Sequence, residues 1–337
     1  MKFAGQVRRA LGWARKQPEP VPQRRVMRDF FIEIDTRCNA RCFYCDTGNK
    51  SRAPHRKSME VETFARVIDH ALAIGVADQT TRFYLFDRGE PTLHPDLSAI
   101  LRILDARGLR SSISTNCALV PKLDKDVSLR LMDKLVLSMP GFSQASYDRI
   151  HRLPFEKVLA NIERMLKEFA DLGYVGETIL SLHVYRFNEH ELKPAADFCR
   201  SLGIVYAPYY AYFNDAKMQW AFARGTLDAA TLARADDELC LDKLRHQLAQ
   251  SPPDYHCPQW ENIAINERGD LLLCCGAPRV GDTYDPGFLL GSFLDMSAED
   301  IARAKTPGSV CRDCNANGIS YLCNNIIRPE ALLRGEL

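Results

Sequence analysis

Three cysteines fall within eight residues, in the run Cys38-Asn-Ala-Arg-Cys42-Phe-Tyr-Cys45. The C-x3-C-x2-C spacing puts three thiolates on one short loop, where they can converge on one metal centre. A cubane iron–sulfur cluster has four irons, normally held by four cysteines. Three cysteines leave one iron open, and an open position marks a catalytic rather than a structural site. A second set, Cys257, Cys274, Cys275, Cys311, Cys314 and Cys323, lies far along the chain. Because paired C-x2-C is zinc-ribbon spacing, Cys42-x2-Cys45 with Cys311-x2-Cys314 is a competing zinc site. That alternative leaves Cys38 without a role.

Composition narrows the setting. The chain has 337 residues, 46% apolar and 26% charged, the balance of an ordinary soluble protein of roughly two domains. Its net charge of +1 gives no electrostatic footprint for nucleic acid. Twelve cysteines in a chain this long are too sparse for a disulfide scaffold. Neither a signal peptide nor an apolar run of about 18–20 residues is present, so a cytoplasmic protein with reduced thiols and no transmembrane segment is expected. Reduced cysteines in this number call for metal, catalysis or burial as small apolar groups.

The elements that must position the first set follow from the patterning. Residues 1–27 form a basic extension, with Lys2, Arg8, Arg9, Arg15, Lys16, Arg24 and Arg25 against Glu19. Phe3, Val7, Leu11 and Ala14 fall at helical spacing before Pro18, Pro20 and Pro22 break it, which suits a capping helix or tail, or a membrane-surface helix. From residue 29, β-rich runs alternate with helical periods. Strands are expected at Asp29–Asp35, Arg82–Phe86, Arg110–Thr115, Leu135–Met139, Thr178–Phe187 and Ile204–Tyr210. Helices are expected between them at Val61–Ile74, Pro95–Arg107, Lys125–Lys134, Phe155–Leu172 and Glu189–Leu202. Such alternation predicts an α/β fold with a parallel sheet. Residues 28–213 are too few for an eight-fold barrel of about 250 residues, so a partial six-stranded (β/α) barrel is expected, with an open doubly wound sheet as the alternative. Residues 214–253 read as a connector of one or two helices. Residues 254–325 are a small cysteine-rich unit and 326–337 a tail.

In a barrel the active site lies at the C-terminal ends of the strands, and the first cysteine loop directly follows the first strand. This segment resembles the radical S-adenosylmethionine (radical SAM) enzymes, whose signature is C-x3-C-x-aromatic-C, with Tyr44 as the aromatic here. The approach Glu33-Ile-Asp-Thr-Arg-Cys-Asn is also similar to that family. The resemblance implies a [4Fe–4S] cluster on Cys38, Cys42 and Cys45, with S-adenosylmethionine (SAM) chelated at the open iron. Reductive cleavage of SAM would give a 5′-deoxyadenosyl radical that abstracts hydrogen from substrate. After the second strand, Asp87-Arg88-Gly89-Glu90-Pro91 looks like the family's Gly-Gly-Glu-Pro turn, with Arg88 at the first glycine. Glu90 suits the SAM ammonium, and Gly89 suits close backbone approach. Ser114-Thr115-Asn116-Cys117 stands where relatives usually read Thr-Asn-Gly. Ser138 begins a segment resembling Ser-x-Asp-Gly, with Met139-Pro140-Gly141 following, and would hold a ribose hydroxyl. Asn188-Glu189 occupies a further SAM-proximal position.

The second set resembles the auxiliary-cluster extension of the same family. Cys257-x11-Gly269-x4-Cys274 precedes Cys311-x2-Cys314, and the C-x2-C-x5-C-x3-C block of the full SPASM domain is absent. The shortened twitch domain, with four ligands and one auxiliary cluster, is the better match. A hairpin of Asn262–Asn266 and Asp270–Leu273 around Glu267-Arg268-Gly269 would bring Cys257 and Cys274 to one end, where Cys311 and Cys314 complete the set. Adjacent residues on a strand point to opposite faces, so one of Cys274 and Cys275 is expected to serve, and the spacing from Gly269 favours Cys274. The resemblance implies an auxiliary [4Fe–4S] cluster, with [2Fe–2S] or zinc as alternatives.

Of the remaining cysteines, Cys199 and Cys240 read as core, and Cys275 and Cys323 as spare or inert. Cys117, just past the third strand, is a candidate hydrogen-atom donor to a substrate radical, or simply a small residue in a tight turn. Tyr206, Tyr209, Tyr210, Tyr212, Phe213, Trp220 and Phe222 could wall a pocket for a polar ring or pack the barrel against the second unit. The short stretch before the first strand favours a small molecule, such as a sugar or aminocyclitol, over a peptide. The resemblance implies a flavodoxin- or ferredoxin-type electron donor. The reaction would be a dehydrogenation with the auxiliary cluster accepting an electron, or a redox-neutral epimerisation or bond formation. A structural zinc protein is the non-enzymatic alternative.

Overall fold

The computed structural model describes residues 26–49, 57–280 and 283–335. The helical spacing read between Phe3 and Ala14 lies outside these residues. The first strand, β1 (Asp29–Ile32), is followed by α1 (Val61–Ala73), β2 (Arg82–Tyr84), α2 (Leu97–Asp105), β3 (Arg110–Thr115) and β4 (Met132–Met139). Then come α3 (Gln144–Arg149), α4 (Phe155–Asp171), β5 (Glu177–Val184), α5 (Leu192–Leu202), β6 (Val205–Tyr206) and β7 (Tyr209–Tyr210). Strands β1 to β6 pair in sequence order, all parallel, and β7 pairs with the far end of β5. This is the expected partial barrel, an open parallel sheet with helices between strands.

The helices form where the apolar residues recur at helical spacing. Phe64, Val67, Ile68 and Ala71 are the buried face of α1, and Val158, Ile162, Met165 and Phe169 that of α4. One expected helix is absent. Residues 125–134 carry no helix, and β4 begins at Met132, three residues before its expected start. Before β4 the buried side chains there are Val127 and Leu129, two apart, which is the period of extended chain, and Met132 is buried at the start of the strand. The backbone N–H of Leu129 donates to the carbonyl of Leu172 at 2.9 Å, a partner outside its own segment. The crossover from β3 to β4 is therefore a packed loop.

Three helices follow the barrel strands, not one or two: α6 (Ala216–Ala223), α7 (Ala229–Glu238) and α8 (Leu241–Ala249). Side chains of Asp215 and Asp228 cap α6 and α7 by accepting from Met218 and Thr231 backbone N–H groups. These helices bury Met218, Phe222, Leu239 and Leu244 against Tyr44 and Tyr185, behind the first cysteine loop.

The cysteine-rich segment joins the same sheet. Strand β8 (Asn262–Ile265) pairs parallel with β1, aligning Phe30 with Ile263. Strand β9 (Asp270–Leu272) returns antiparallel on β8, through a turn in which Gly269 has φ +84°. The short hairpin of β10 (Arg279–Val280) and β11 (Thr283–Tyr284) stands apart, and β12 (Leu289–Ser292) pairs with β9. The order is thus β12-β9-β8-β1-β2-β3-β4-β5-β6. Helices α9 (Ala298–Ala304), α10 (Ser309–Ala316), α11 (Ile319–Asn324) and α12 (Glu330–Leu333) complete the chain. Among the described residues no helix is long and apolar enough to cross a membrane.

Because β8 and β1 share one ladder, damage to β8 reaches the barrel. Ile263→Ala removes a fully buried side chain and is expected to cost about 2–5 kcal/mol. Denaturant unfolding followed by fluorescence should show the barrel and the C-terminal unit losing structure together, and a separate early transition for the C-terminal unit would contradict the shared sheet.

Candidate active site

At the C-terminal ends of the parallel strands lies a cavity of about 290 Å³. The loop after β1 contributes Cys38, Cys42, Tyr44 and Cys45, the turn after β2 contributes Asp87 to Glu90, and the end of β3 contributes Thr115 and Asn116. Ser138 of β4, His183 of β5 and Tyr209 of β7 close the far side. Strands of matched register thus bring residues up to about 170 positions apart to one rim, where strand ends in such folds place reacting groups.

The turn after β2 is held tightly to the cysteine loop. The backbone N–H of Glu90 donates to the Arg37 carbonyl at 2.7 Å. A Cβ on Gly89 would lie 1.7 Å from the Asp35 carbonyl oxygen, so only glycine permits this approach. The Glu90 carboxylate is buried. It accepts from Thr92 Oγ1 at 2.6 Å, from Thr92 N–H at 3.1 Å and from Asn116 N–H at 2.8 Å. Burial pushes its pKa upward while these donors pull it back. Pro91 begins a short 3-10 turn that Glu90 caps and does not itself line the cavity. Asn116 Nδ2 reaches Asn39 Oδ1 at 2.7 Å and Cys38 Sγ at 3.7 Å, joining β3 to the cysteine loop. Tyr44 is anchored from behind, its hydroxyl donating to Glu238 Oε2 at 2.7 Å.

Besides Pro91, two more of the expected residues lie off the cavity. Asn188 is fully buried and spends its amide on backbone: it accepts from Tyr185 N–H at 2.7 Å and donates to the carbonyls of Pro140 and His183. It braces the ends of β4 and β5 and does not line the cavity. Cys117 is also fully buried, in the main hydrophobic core, at a φ of +59°. Its thiol reaches only the carbonyl of Thr115, at 3.6 Å, and burial raises its pKa well above the usual range. That placement suits the alternative of a small residue in a tight turn, which Asn161 ties down by donating to the carbonyls of Cys117 and Ala118.

Sequence reasoning passed over His151 and His183, both on the cavity wall. Burial pushes His151 down to about 3 and His183 down to about 4, so both imidazoles are neutral at neutral pH. His183 lies 3.3 Å from Ser138 Oγ, and His151 Nδ1 is buried without a partner. The position of His183 at the end of a strand was the available signal. His151 lies in a turn after α3 that matches no motif. The aromatic run divides between its two expected uses, with Tyr209 and Tyr212 on the cavity and Phe213 and Phe222 in packing.

The second cysteine set opens on a separate cavity of about 250 Å³, lined by Cys257, Cys274, Cys275, Cys314 and Cys323. Strand β9 ends at Leu272, so Cys274 and Cys275 sit in a turn and the opposite-face rule for strands does not apply to them. Cys311 packs beside them in an apolar cluster with Leu273 and Phe288 and is not among the lining residues. Lys305, buried, donates to the Leu273 carbonyl and sets a positive charge beside Cys274, Cys275, Cys311 and Cys257. The alternative zinc site that joins Cys42 and Cys45 to Cys311 and Cys314 is not formed: Cys42 and Cys45 open into the first cavity and Cys314 into the second.

Comparison with known proteins decides the family. The radical SAM superfamily model matches residues 32–199. The chain belongs to the radical SAM superfamily. A probable GTP 3′,8-cyclase of Methanococcus maripaludis strain C5 is 26% identical over 184 residues, 54% of this chain and 58% of that protein, so the chain spans little more than half its length. The corresponding protein of strain C7 is 26% identical over 292 residues, 86% of this chain and 92% of that one. Among solved structures, Streptococcus suis SuiB bound to S-adenosylmethionine shares the fold, with a TM-score of 0.54 at 14% identity over 88% of this chain and 70% of that chain.

Membership brings a [4Fe–4S] cluster and SAM as cofactors, and the residues present fit them. Three thiols on one loop line a cavity that the buried Glu90 also lines. The five thiols on the second cavity suit an auxiliary cluster. Gly89→Ala should force the turn off the Asp35 carbonyl at about 1–3 kcal/mol and weaken SAM binding, read by calorimetric titration. Cys117→Ala should leave product formed per 5′-deoxyadenosine within about twofold of wild type, and a collapse of that ratio would favour the hydrogen-donor role.

Proposed function

We propose that this radical SAM enzyme holds its catalytic cluster on Cys38, Cys42 and Cys45 and oxidises a small polar substrate in the first cavity. The observation that carries this reading is the convergence of those thiols with Gly89, Glu90, Thr115, Asn116 and Ser138 on one cavity. The cluster, when bound, supplies the electron that cleaves SAM into methionine and the hydrogen-abstracting 5′-deoxyadenosyl radical. Glu90 and the Gly89 backbone orient the SAM amine, and Ser138, within reach of His183, takes a ribose hydroxyl. Neutral His151 and His183 present hydrogen-bonding nitrogens to the substrate side. Tyr44, Thr115 and Asn116 hold the cysteine loop and the cofactor in register.

Dehydrogenation is favoured by the second cysteine cavity, which shares wall residues with the first. In this reading Cys257, Cys274 and Cys314, with Cys311 or one of Cys275 and Cys323, hold an auxiliary [4Fe–4S] cluster that receives the second electron. A flavodoxin- or ferredoxin-type protein supplies the first. Bond formation is the second reading, supported by the names of the cyclase relatives. Against a triphosphate substrate, the one guanidinium among the residues described on the first cavity, Arg88, is already paired with Asp46 and Asp87.

Anaerobic incubation of the iron-loaded enzyme with SAM and dithionite should release 5′-deoxyadenosine. Alanine at Cys38, Cys42 or Cys45 should lower that release by about 10²-fold or more. Cys314→Ala should keep SAM cleavage while losing about half of the bound iron. Deuterium transfer into 5′-deoxyadenosine from labelled GTP would favour the bond-forming reading, and transfer from a labelled sugar or aminocyclitol, with a carbonyl product, would favour oxidation. A protein that binds only zinc would end both.

A further inference from the structure

The two cysteine cavities have a common wall. Phe86, Asp87, Arg88, Tyr212 and Asn214 line both. The centre of that wall is a guanidinium whose side chain is only 6% exposed. A buried cation is tolerated when opposite charge and hydrogen-bond acceptors surround it. Arg88 has both. Nη1 lies 3.3 Å from Asp46 Oδ2 and also donates to the Asn214 carbonyl, while Nε lies 3.7 Å from Asp87 Oδ1. Nη2 donates to the Cys275 carbonyl at 3.1 Å.

These acceptors come from different parts of the chain. Asp46 follows Cys45 in the first cysteine loop, Asn214 leads into α6, and Cys275 belongs to the second set. A single side chain therefore ties the first cysteine loop, the helical connector and the second cysteine turn together. In the Gly-Gly-Glu-Pro pattern this position is glycine, which has no side chain to reach any of them.

We propose that Arg88 is a positioning residue that couples the two cysteine sites, locking the Cys274–Cys275 turn to the wall of the first cavity and setting one fixed positive charge between the two clusters. The inference rests on the reading that both cavities hold iron–sulfur clusters. A guanidinium stays charged at every working pH, so the field it exerts is constant. A cation beside a cluster favours the reduced, more negative state, because local charge and hydrogen bonding set cluster potentials. The planar fork adds geometry that an ammonium lacks: three directions of donation are fixed at once.

The test uses the iron-loaded full chain, with Arg88→Met and Arg88→Lys beside the wild type. EPR-monitored redox titration reads the midpoint potential of each cluster, and hydrogen–deuterium exchange reads the backbone at residues 273–277. Arg88→Met is expected to shift both potentials to more negative values and to speed exchange in that turn by about tenfold. Unshifted potentials or wild-type exchange in Arg88→Met overturns the proposal. Should Arg88→Met fail to fold or to hold iron, Arg88→Lys decides: near-wild-type potentials with faster exchange support it, and wild-type exchange overturns it. A wild-type chain without iron and sulfide would instead remove the cluster reading beneath. Exchange in the metal-free chain would still report whether Arg88 locks the turn.

Discussion

A carboxylate sealed from water, Glu33, connects the parts of this molecule that must meet. One of its oxygens accepts from the Gly89 backbone N–H at 3.1 Å, and the other accepts from the Tyr284 hydroxyl at 2.7 Å and from the Arg279 guanidinium. The first contact fixes the turn that carries Gly89 and Glu90. The second docks the β10–β11 hairpin of the C-terminal unit. Burial pushes the Glu33 carboxyl upward, and Arg279 and Tyr284 oppose it. A buried pair of this kind contributes little net stability as a whole, but removing one partner strands the other at about 3–5 kcal/mol. Its value lies in specifying where the turn sits.

Around that anchor the electrostatics are organised by pairing. Arg279 faces Glu33, and Arg88 faces Asp46 and Asp87. Burial lifts Asp87 up to about 7, with Arg88 beside it pulling the other way. Few free charges are therefore left on the first cavity, whose far side is neutral imidazole, phenol and hydroxyl. Such a surface suits hydrogen bonding to a polar substrate.

Much of the fold was legible because its signals are local. The helices on Val61 and Phe155 follow directly from apolar spacing, the strand of Arg110–Thr115 follows from its place in the strand–helix alternation, and Gly269 marked the hairpin. The cysteine loop was legible because three thiols at that spacing have few other uses. The errors arose where tertiary partners override local pattern. Residues 125–134 looked helical, yet Val127 and Leu129 bury at strand period. Cys117 left a hydrogen donor and a small turn residue both open, and only the assembled fold places its thiol in the core. The pairing of β8 with β1 joins residues more than two hundred positions apart, and no local pattern encodes it. Arg88 was visible only as a departure from a glycine, and its three-way contact emerges only once the segments are assembled.

The most direct test of the account is Mössbauer spectroscopy of the iron-loaded chain with and without SAM. The account predicts two [4Fe–4S] contributions, one of which acquires a distinct iron site when SAM is added while the other is unchanged. Spectra in which SAM perturbs neither cluster, or a chain that takes up zinc and no sulfide, would contradict it.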